Sequence, residues 1–292
     1  MRNFRNPFSA ACQKKRVTFY NLADSPREFS LWTVLLVDDA REIAASRGAV
    51  GILGRRGTPH GPIRRCLRSL IHFFAYHLIL ARQRTRVTWA GGFRLVVHPT
   101  VFHPRYFLSS EYFAEFISHL DLSGKRVVDV GTGSGILALA AARAGAENVI
   151  AADINPNAAL TAAENARANG VDDRVSALCS DLLSALAPRP LFDVILSSPP
   201  KHAGKPRDLA DRGWHAGPHY CDIAALFDQS RERLKPGGRM YVMVSSDSDL
   251  DLFSAFITRA RFKAQLVAEH SIFIESFLLY SLRAGEEQRV SR

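Results

Sequence analysis

Three glycines at alternate positions form the feature that most constrains the fold of this chain. Gly131, Gly133 and Gly135 follow an apolar run, Val127 to Val130, and precede an Ala/Leu-rich segment, Ile136 to Ala144. The run predicts a buried strand and the segment predicts a helix. A strand, a glycine turn and a helix in this order are typical of α/β proteins that hold a nucleoside at the carboxyl ends of parallel strands.

The residues after this unit indicate which kind of nucleoside fits. A second apolar run, Asn148 to Ala152, ends in Asp153, 18 residues after Gly135. A dinucleotide fingerprint would need its third glycine at Ile136, and the sequence has no Gly-Lys-Ser/Thr phosphate loop. A lone glycine turn would fit an ordinary tight turn, but the acidic strand end disfavours that interpretation. The pattern therefore argues against a dinucleotide and against a nucleotide held by a phosphate loop.

The pattern Asp129-x-Gly131-x-Gly133-x-Gly135 resembles the first motif of the class I S-adenosylmethionine (SAM) methyltransferases. The resemblance implies that SAM is the cofactor and that it lies across the strand ends. Asp153 then takes the position of the carboxylate that accepts hydrogen bonds from the ribose hydroxyls. The cofactor-binding residues that the resemblance implies are Asp129, Gly131, Thr132, Gly133, Gly135, Asp153, Ile154, Asp181, Leu182 and Ser197.

Two of these acids have alternative interpretations. By the resemblance, Asp181 with Leu182 lies at the adenine position, and Asp129 with the Gly131 backbone faces the ammonium group of SAM. Asp181 fits a helix cap equally well, and Asp129 could instead brace the turn. Acids at three successive strand ends, all at positions that the family uses, favour the site.

The rest of the chain alternates predicted strands and helices. Asn155 is a predicted helix cap with Pro156 at the first position, and Asn169-Gly170 is a predicted stop. The order is similar to the Rossmann-like methyltransferase fold, an α/β fold with a seven-stranded, mostly parallel sheet and a terminal antiparallel β-hairpin. The resemblance covers roughly residues 85–283. The other predicted elements are strands 174–179, 191–197 and 239–245, helices 222–234 and 247–260, and closing strands 262–269 and 272–282.

Charge separates the N-terminal third from the rest of the chain. Residues 1–107 carry 18 Lys/Arg against 5 Asp/Glu, whereas the remaining 185 residues carry 20 against 23. The basic part fits nucleic acid or an anionic membrane surface, and it fits a solubilising extension equally well. The predicted organisation is a poorly defined basic extension at 1–62, a helix, hairpin and helix at 63–120, a SAM-binding domain at 121–283 and a tail at 284–292.

The segment before the glycine turn has a recognisable order of elements. Residues 63–83 predict an amphipathic helix that is too short in its apolar part to span a bilayer. Docking on the following domain is favoured over an interfacial membrane helix. Residues 85–98 predict a hairpin, and 109–120 predict a helix. This order resembles the release-factor glutamine methyltransferases and the small-domain RNA guanine methyltransferases.

The end of the fourth strand of the predicted sheet carries the predicted acceptor site. Methyltransferases of planar nitrogens have Asn/Asp-Pro-Pro-aromatic there, and the Asn/Asp side chain accepts hydrogen bonds from the target NH2 group. This chain keeps the prolines, which fix an extended backbone, but has Ser198 and Lys201 at the other two positions. His202 is predicted as a general base, with a surface histidine as the alternative. The predicted catalytic residues are Ser198, Pro199, Pro200 and His202.

Composition argues against several classes of protein. Four cysteines without paired spacing predict neither a disulfide framework nor a zinc site, so a reducing compartment, the cytoplasm, is expected. His215, His219 and Asp222 have no helix to align them, so no metal site is expected. No run of 18 apolar residues occurs, so no spanning helix is expected. The first 23 residues lack the apolar core of a signal peptide and indicate an unstructured tail rather than a transit peptide.

The sequence predicts an enzyme that transfers a methyl group from SAM. A nitrogen on a protein side chain is the preferred acceptor, by resemblance to the glutamine methyltransferases. An RNA base, suggested by the basic N-terminal third, comes second, and a small molecule third. A SAM-binding scaffold without catalysis is a further hypothesis because the acceptor motif is incomplete, whereas serines at the fourth strand end disfavour a polyamine synthase. The oligomeric state stays open.

Overall fold

The computed structural model describes residues 84–104, 109–272 and 275–285. The predictions for the basic extension, for the helix at 63–83 and for most of the tail lie outside these residues. The described α-helices and strands are β1 (Arg86–Ala90), β2 (Phe93–Val97), α1 (Ser109–Ser118), β3 (Arg126–Val130), α2 (Ile136–Arg143), β4 (Asn148–Asp153), α3 (Pro156–Ala168), β5 (Val175–Cys179), β6 (Phe192–Ser197), α4 (Cys221–Arg233), β7 (Leu234–Ser245), α5 (Leu250–Arg259), β8 (Phe262–Ser271) and β9 (Ser276–Ala284).

The central sheet has seven strands in the order β5-β4-β3-β6-β7-β9-β8. The first five strands of this order are parallel, and β9 runs antiparallel between β7 and β8. The predicted fold class, a Rossmann-like sheet with a terminal antiparallel hairpin, is therefore confirmed. The chain runs outward from β3 to β5 and then returns to β6. The crevice between β3 and β6 is thus the topological switch point, where ligands bind in open α/β sheets.

In the middle of the sheet both faces are covered, which explains why the central strands contain long apolar runs. Val127 points into a core formed with α1, α2, α3 and the β1–β2 hairpin. Val128 points to the opposite face, into a core formed with α4 and α5. Helix α2 is buried along its length from Ile136 to Ala142, and its small alanines allow close approach to the sheet.

Asn165 of α3 and Asn169, which caps the C-terminus of that helix, attach the β1–β2 hairpin to the domain. Asn165 Oδ1 accepts a hydrogen bond of 2.7 Å from the Val96 N–H, and its Nδ2 donates to the Val96 carbonyl at 2.8 Å. Asn169 makes the same pair of bonds to Arg94, at 3.2 Å and 2.9 Å. Four residues of helix advance about 6 Å and two residues of strand advance about 6.6 Å, so the two spacings match. We call this pair the asparagine ladder.

Most of the predicted element boundaries agree with the structure to within a few residues. The clearest difference is β7, which begins at Leu234 instead of at residue 239. Leu234 pairs with Phe192 and Arg239 with Val194, so the Lys-Pro-Gly-Gly segment between them bulges out opposite a single residue, Asp193. Helix α5 also begins later than predicted, at Leu250, because Asp249 caps it.

Candidate cofactor and acceptor site

A cavity of about 410 Å³ lies at the carboxyl ends of β3, β4 and β6. This volume falls within the range of small-molecule sites, about 300 to 1,000 Å³. Most of the residues that were predicted from the sequence line it, whereas Asp129, Gly135 and His202 do not. The predicted residues in its wall are Gly131, Thr132, Gly133, Asp153, Ile154, Asp181, Leu182, Ser197, Ser198, Pro199 and Pro200.

The glycine turn leaves open space on its cavity side. Gly133 has a φ of +53°, and a Cβ atom added there would meet nothing within 4 Å. Gly135 has a φ of +83°, but a Cβ atom there would lie 3.0 Å from the Ala162 Cα atom. Gly133 therefore provides room for a ligand, whereas Gly135 allows α3 to pack closely against the turn.

Asp153 joins the turn to the end of β4. Its Oδ2 accepts a hydrogen bond from the Gly133 N–H and its Oδ1 accepts one from the Asn155 N–H, both at 2.9 Å. Burial raises the pKa of Asp153, while the bonds from these N–H groups act in the opposite direction. Each carboxylate oxygen can accept a second hydrogen bond. Because the side chain lines the cavity, it can accept two hydroxyl groups of a ligand there.

Asp129 lies beneath the turn and has no access to solvent. The Thr132 hydroxyl donates a hydrogen bond of 2.6 Å to its Oδ2. Burial raises the pKa of Asp129 to about 7, and the bond from Thr132 opposes this shift. The geometry fits the interpretation that Asp129 braces the turn, and it gives no support to direct contact with an ammonium group in the cavity.

The part of the cavity beside the glycine turn and Asp153 is here called the cofactor half, and Ile154, Asp181 and Leu182 also line it. Leu182 has a φ of +52°, which is unusual for a bulky residue. The backbone after it is fixed because the Leu183 N–H donates a hydrogen bond to Gln229 Oε1 at 2.9 Å. An apolar wall beside a carboxylate is the environment that a purine ring with an amino group requires.

The part of the cavity lined by residues 198–201, Ser245 and Glu275 is here called the acceptor half, and it begins at the end of β6. The Ser197 hydroxyl donates a hydrogen bond of 2.9 Å to the Val130 carbonyl and so ties β6 to β3. The Tyr220 hydroxyl donates one of 3.0 Å to the Lys201 carbonyl. Ser198 and the two prolines lie between these fixed points and line the cavity.

Residues 201–217, here called the cap loop, contribute the wall opposite the sheet. The His202 N–H donates to the Trp214 carbonyl, and the Ala216 N–H donates to the His202 carbonyl. Trp214 is buried and meets Phe102 edge to face, with 6.0 Å between the ring centroids. The residues of the loop that line the cavity are Lys201, Leu209, Ala210, Arg212, Gly213, Trp214 and His215.

The predicted base His202 is therefore not in the cavity wall, and its role as a base has no support from this geometry. His215 lies in the wall instead, with Nδ1 3.3 Å from Asp211 Oδ2. Sequence reasoning also missed Ser245 and Glu275, which line the acceptor half. No motif marks them, because they come from the end of β7 and from just before β9.

Two further predictions concern metals and membranes. Within residues 84–104, 109–272 and 275–285, no three side chains of the metal-binding types are grouped to hold a metal ion. In the same ranges, no helix has the length and apolar character to cross a bilayer.

Comparison with known proteins connects this site to one group. The family model of the ribosomal protein L11 methyltransferases (PrmA) matches residues 112–198. The curated relatives include the ribosomal protein L11 methyltransferase of Actinobacillus succinogenes, 54% identical over 67 residues, which are 23% of this chain and 23% of that protein. They also include that of Deinococcus radiodurans, 41% identical over 102 residues, which are 35% of this chain and 37% of that protein.

The sequence matches span well under half the length of these relatives. Among solved structures, Methanocaldococcus jannaschii Trm5 in complex with adenosine has a TM-score of 0.52 at 16% identity, over 70% of this chain and 58% of that one. At this identity the likeness shows the fold alone. Together, the matches confirm the resemblance to the class I SAM-dependent methyltransferases that the glycine turn indicated.

Proposed function

We propose that this chain is a SAM-dependent methyltransferase that acts on a nitrogen atom of a protein side chain. The observation that carries the proposal is the cavity beside the glycine turn, where space above Gly133 adjoins the carboxylate of Asp153. A nucleoside without phosphates fits such a site, since backbone approaches on one side and hydrogen-bond acceptors stand on the other.

The residues of the cofactor half have distinct roles in this proposal. Asp153 holds the ribose hydroxyls, and Asp181 with Ile154 and Leu182 holds the adenine. Thr132 and the turn backbone support the methionine part. When bound, SAM supplies a methyl group on a sulfonium sulfur: the acceptor lone pair forms the new bond, and the sulfur keeps the electron pair of the broken one.

The chain itself contributes alignment and exclusion of water. The Pro199-Pro200 backbone has no N–H groups and is fixed at both ends, so its carbonyl groups can accept hydrogen bonds from an acceptor in the cavity. The cap loop and Phe102 cover the cavity. Holding two reactants in line can contribute on the order of 7 kcal/mol or more to catalysis.

A protein acceptor is favoured because the matched relatives are ribosomal protein L11 methyltransferases. The side-chain nitrogen as target rests on the retained Pro-Pro pair. We expect the protein to act in the cytoplasm, where a reduced cysteine such as Cys179 persists.

Calorimetric titration with SAM tests the cofactor site. Asp153→Ala removes both acceptors for the ribose hydroxyls, so affinity falls about a hundredfold. Asp173→Ala is the matched control, since the Asp173 side chain is 75% exposed and lies outside the cavity wall. Equal affinities of the wild type and Asp153→Ala would contradict the site.

The acceptor is tested with methyl-labelled SAM, ribosomal protein L11 and ribosomal RNA in one mixture. We expect the label on a side-chain nitrogen of the protein, located by mass spectrometry. Label in the RNA alone, lost at high salt or on deletion of residues 1–84, would support the RNA alternative. SAM binding without any labelled product in a whole lysate would support the non-catalytic scaffold.

A further inference from the structure

The acceptor half of the cavity contains an ion pair that no motif predicts. Lys201 Nζ lies 2.7 Å from Glu275 Oε2, and the Ser245 hydroxyl donates a hydrogen bond of 2.6 Å to the same oxygen. All three residues line the cavity. The Glu275 side chain is 9% exposed and that of Lys201 is 22% exposed, so the pair is largely removed from bulk water.

The two oxygens of this carboxylate have different surroundings. Oε2 receives both bonds, whereas no group in the described ranges of the chain donates to Oε1. An ionised carboxylate can accept about four hydrogen bonds. When the carboxylate is shielded from water, leaving these positions without donors costs free energy. Since Glu275 lines the cavity, a donor for Oε1 can come from a ligand there.

The pair involves one of the two positions at which this chain departs from the acceptor motif. Ser198 replaces the Asn or Asp whose side chain would accept hydrogen bonds from the target nitrogen. Lys201 replaces the aromatic residue, and its ammonium group reaches the segment just before β9. The carboxylate that the strand end lacks is thus present in the same cavity, brought there by the β8–β9 hairpin.

We propose that Glu275 is the group that recognises the acceptor, through a hydrogen bond from an N–H of the acceptor nitrogen to Oε1. This inference rests on the proposed function. It narrows the acceptor to a nitrogen that carries hydrogen, such as a primary amine or an amide. Ser245 holds the carboxylate in position through its hydrogen bond to Oε2, and Lys201 balances the charge of the carboxylate. A thiolate or carboxylate acceptor would meet like charge at Oε1.

The nucleoside analogue sinefungin tests this assignment without knowledge of the natural acceptor. It carries a primary amine at the place where SAM carries the transferable methyl group, and S-adenosylhomocysteine lacks that amine. The Glu275→Gln variant is expected to bind sinefungin about tenfold more weakly and S-adenosylhomocysteine within about twofold of the wild type, by calorimetry. Glu147→Gln, an exposed acid outside the cavity wall, is expected to change neither affinity.

A second variant separates recognition from a structural role. Lys201→Met removes the cation but keeps the carboxylate, so sinefungin is expected to bind at least as tightly as it does to the wild type. Weaker sinefungin binding by both variants, or unchanged binding by Glu275→Gln, would overturn the inference. A wild type that binds neither nucleoside would contradict the proposed function as well.

Discussion

Gly133 and Gly135 lie two residues apart in one turn, and a methyl group added to each would meet opposite surroundings. Both have positive φ, so alanine at either position costs about 1 kcal/mol of backbone strain. Only at Gly135 does the added methyl group also press on α3, at the Cα atom of Ala162. Gly133 therefore leaves space for a ligand, whereas Gly135 allows α3 to pack closely against the turn.

We expect Gly133→Ala and Gly135→Ala to separate these roles. Gly133→Ala fills ligand space, so SAM affinity falls at least tenfold with a loss of stability of only about 1 kcal/mol. Gly135→Ala loses roughly a further 1 to 3 kcal/mol of unfolding free energy through overpacking. Urea denaturation and calorimetry measure the two effects. Loss of affinity without loss of stability in Gly135→Ala would contradict the packing role.

Among individual residues, local sequence patterns predicted those that form the glycine turn and those that contact its backbone. Gly133 and Asp153 follow from spacing, because a turn between parallel strands must bring these positions together. Whether the His202 side chain faces the cavity could not be predicted from such local patterns. Its side-chain direction depends on how the cap loop pairs with itself, through His202 and Trp214, and no short-range pattern encodes that pairing.

At the scale of elements, the asparagine ladder carries the attachment of the hairpin to α3. Asn165 is fully buried, and it also donates a hydrogen bond of 2.9 Å to the Ser134 carbonyl in the glycine turn. One amide therefore satisfies the N–H and carbonyl groups of Val96 and a carbonyl of the turn. The hairpin and the cofactor half of the cavity share this support.

We expect Asn165→Ala to lower the free energy of unfolding by roughly 3 kcal/mol, because it removes the side-chain partner of the part-buried backbone groups of Val96 and of the buried Ser134 carbonyl. Asn169→Ala, whose bonds to Arg94 are exposed to water, is expected to cost about 1 kcal/mol. Urea denaturation gives both values. Equal losses would show that burial does not set the strength of the ladder.

Most element positions could be predicted, because caps and stops are local. Asn155 caps α3 by accepting from the Asn157 N–H, and Pro156 takes the first helical position as the sequence indicates. The early start of β7 could not be predicted, because the Lys-Pro-Gly-Gly segment is typical of the end of a helix and a turn before the next strand. In the structure it is a bulge, fixed by the 2.8 Å ion pair between Lys235 and Asp193.

For the whole molecule, the buried carboxyl of Asp129 links stability to pH. Its pKa is about 7 in the folded protein and about 3.9 in the unfolded chain. Between these values the folded state keeps a proton that the unfolded state has lost. This contribution to stability is therefore fully present below pH 4 and is lost as the pH rises through 7.

We expect this group to lower the free energy of unfolding by on the order of 4 kcal/mol between pH 4 and pH 8. Asp129→Asn stays neutral and can still accept the Thr132 hydroxyl, so it is expected to be more stable than the wild type at pH 8 and similar to it at pH 4. Denaturation curves at the two pH values measure the difference. Parallel pH profiles for the two proteins would contradict the burial of this carboxyl.

The fold of the whole domain could be predicted because its strand order follows from alternating strands and helices. The acceptor half could not, because Ser245 and Glu275 join Lys201 from parts of the chain that are distant in sequence. A cofactor site formed by adjacent loops is visible in local motifs. A substrate site formed by the far edge of the sheet is not.

The asparagine ladder also fixes the length of the helix that bears it. Adding or deleting one residue between Asn165 and Asn169 would rotate one amide by about 100° around the axis of α3, away from the hairpin. The helix itself would survive such a change, since its caps would remain. The chain can therefore accept substitutions along α3 more easily than changes in its number of residues, and variation in length is expected to accumulate in the surface loops instead.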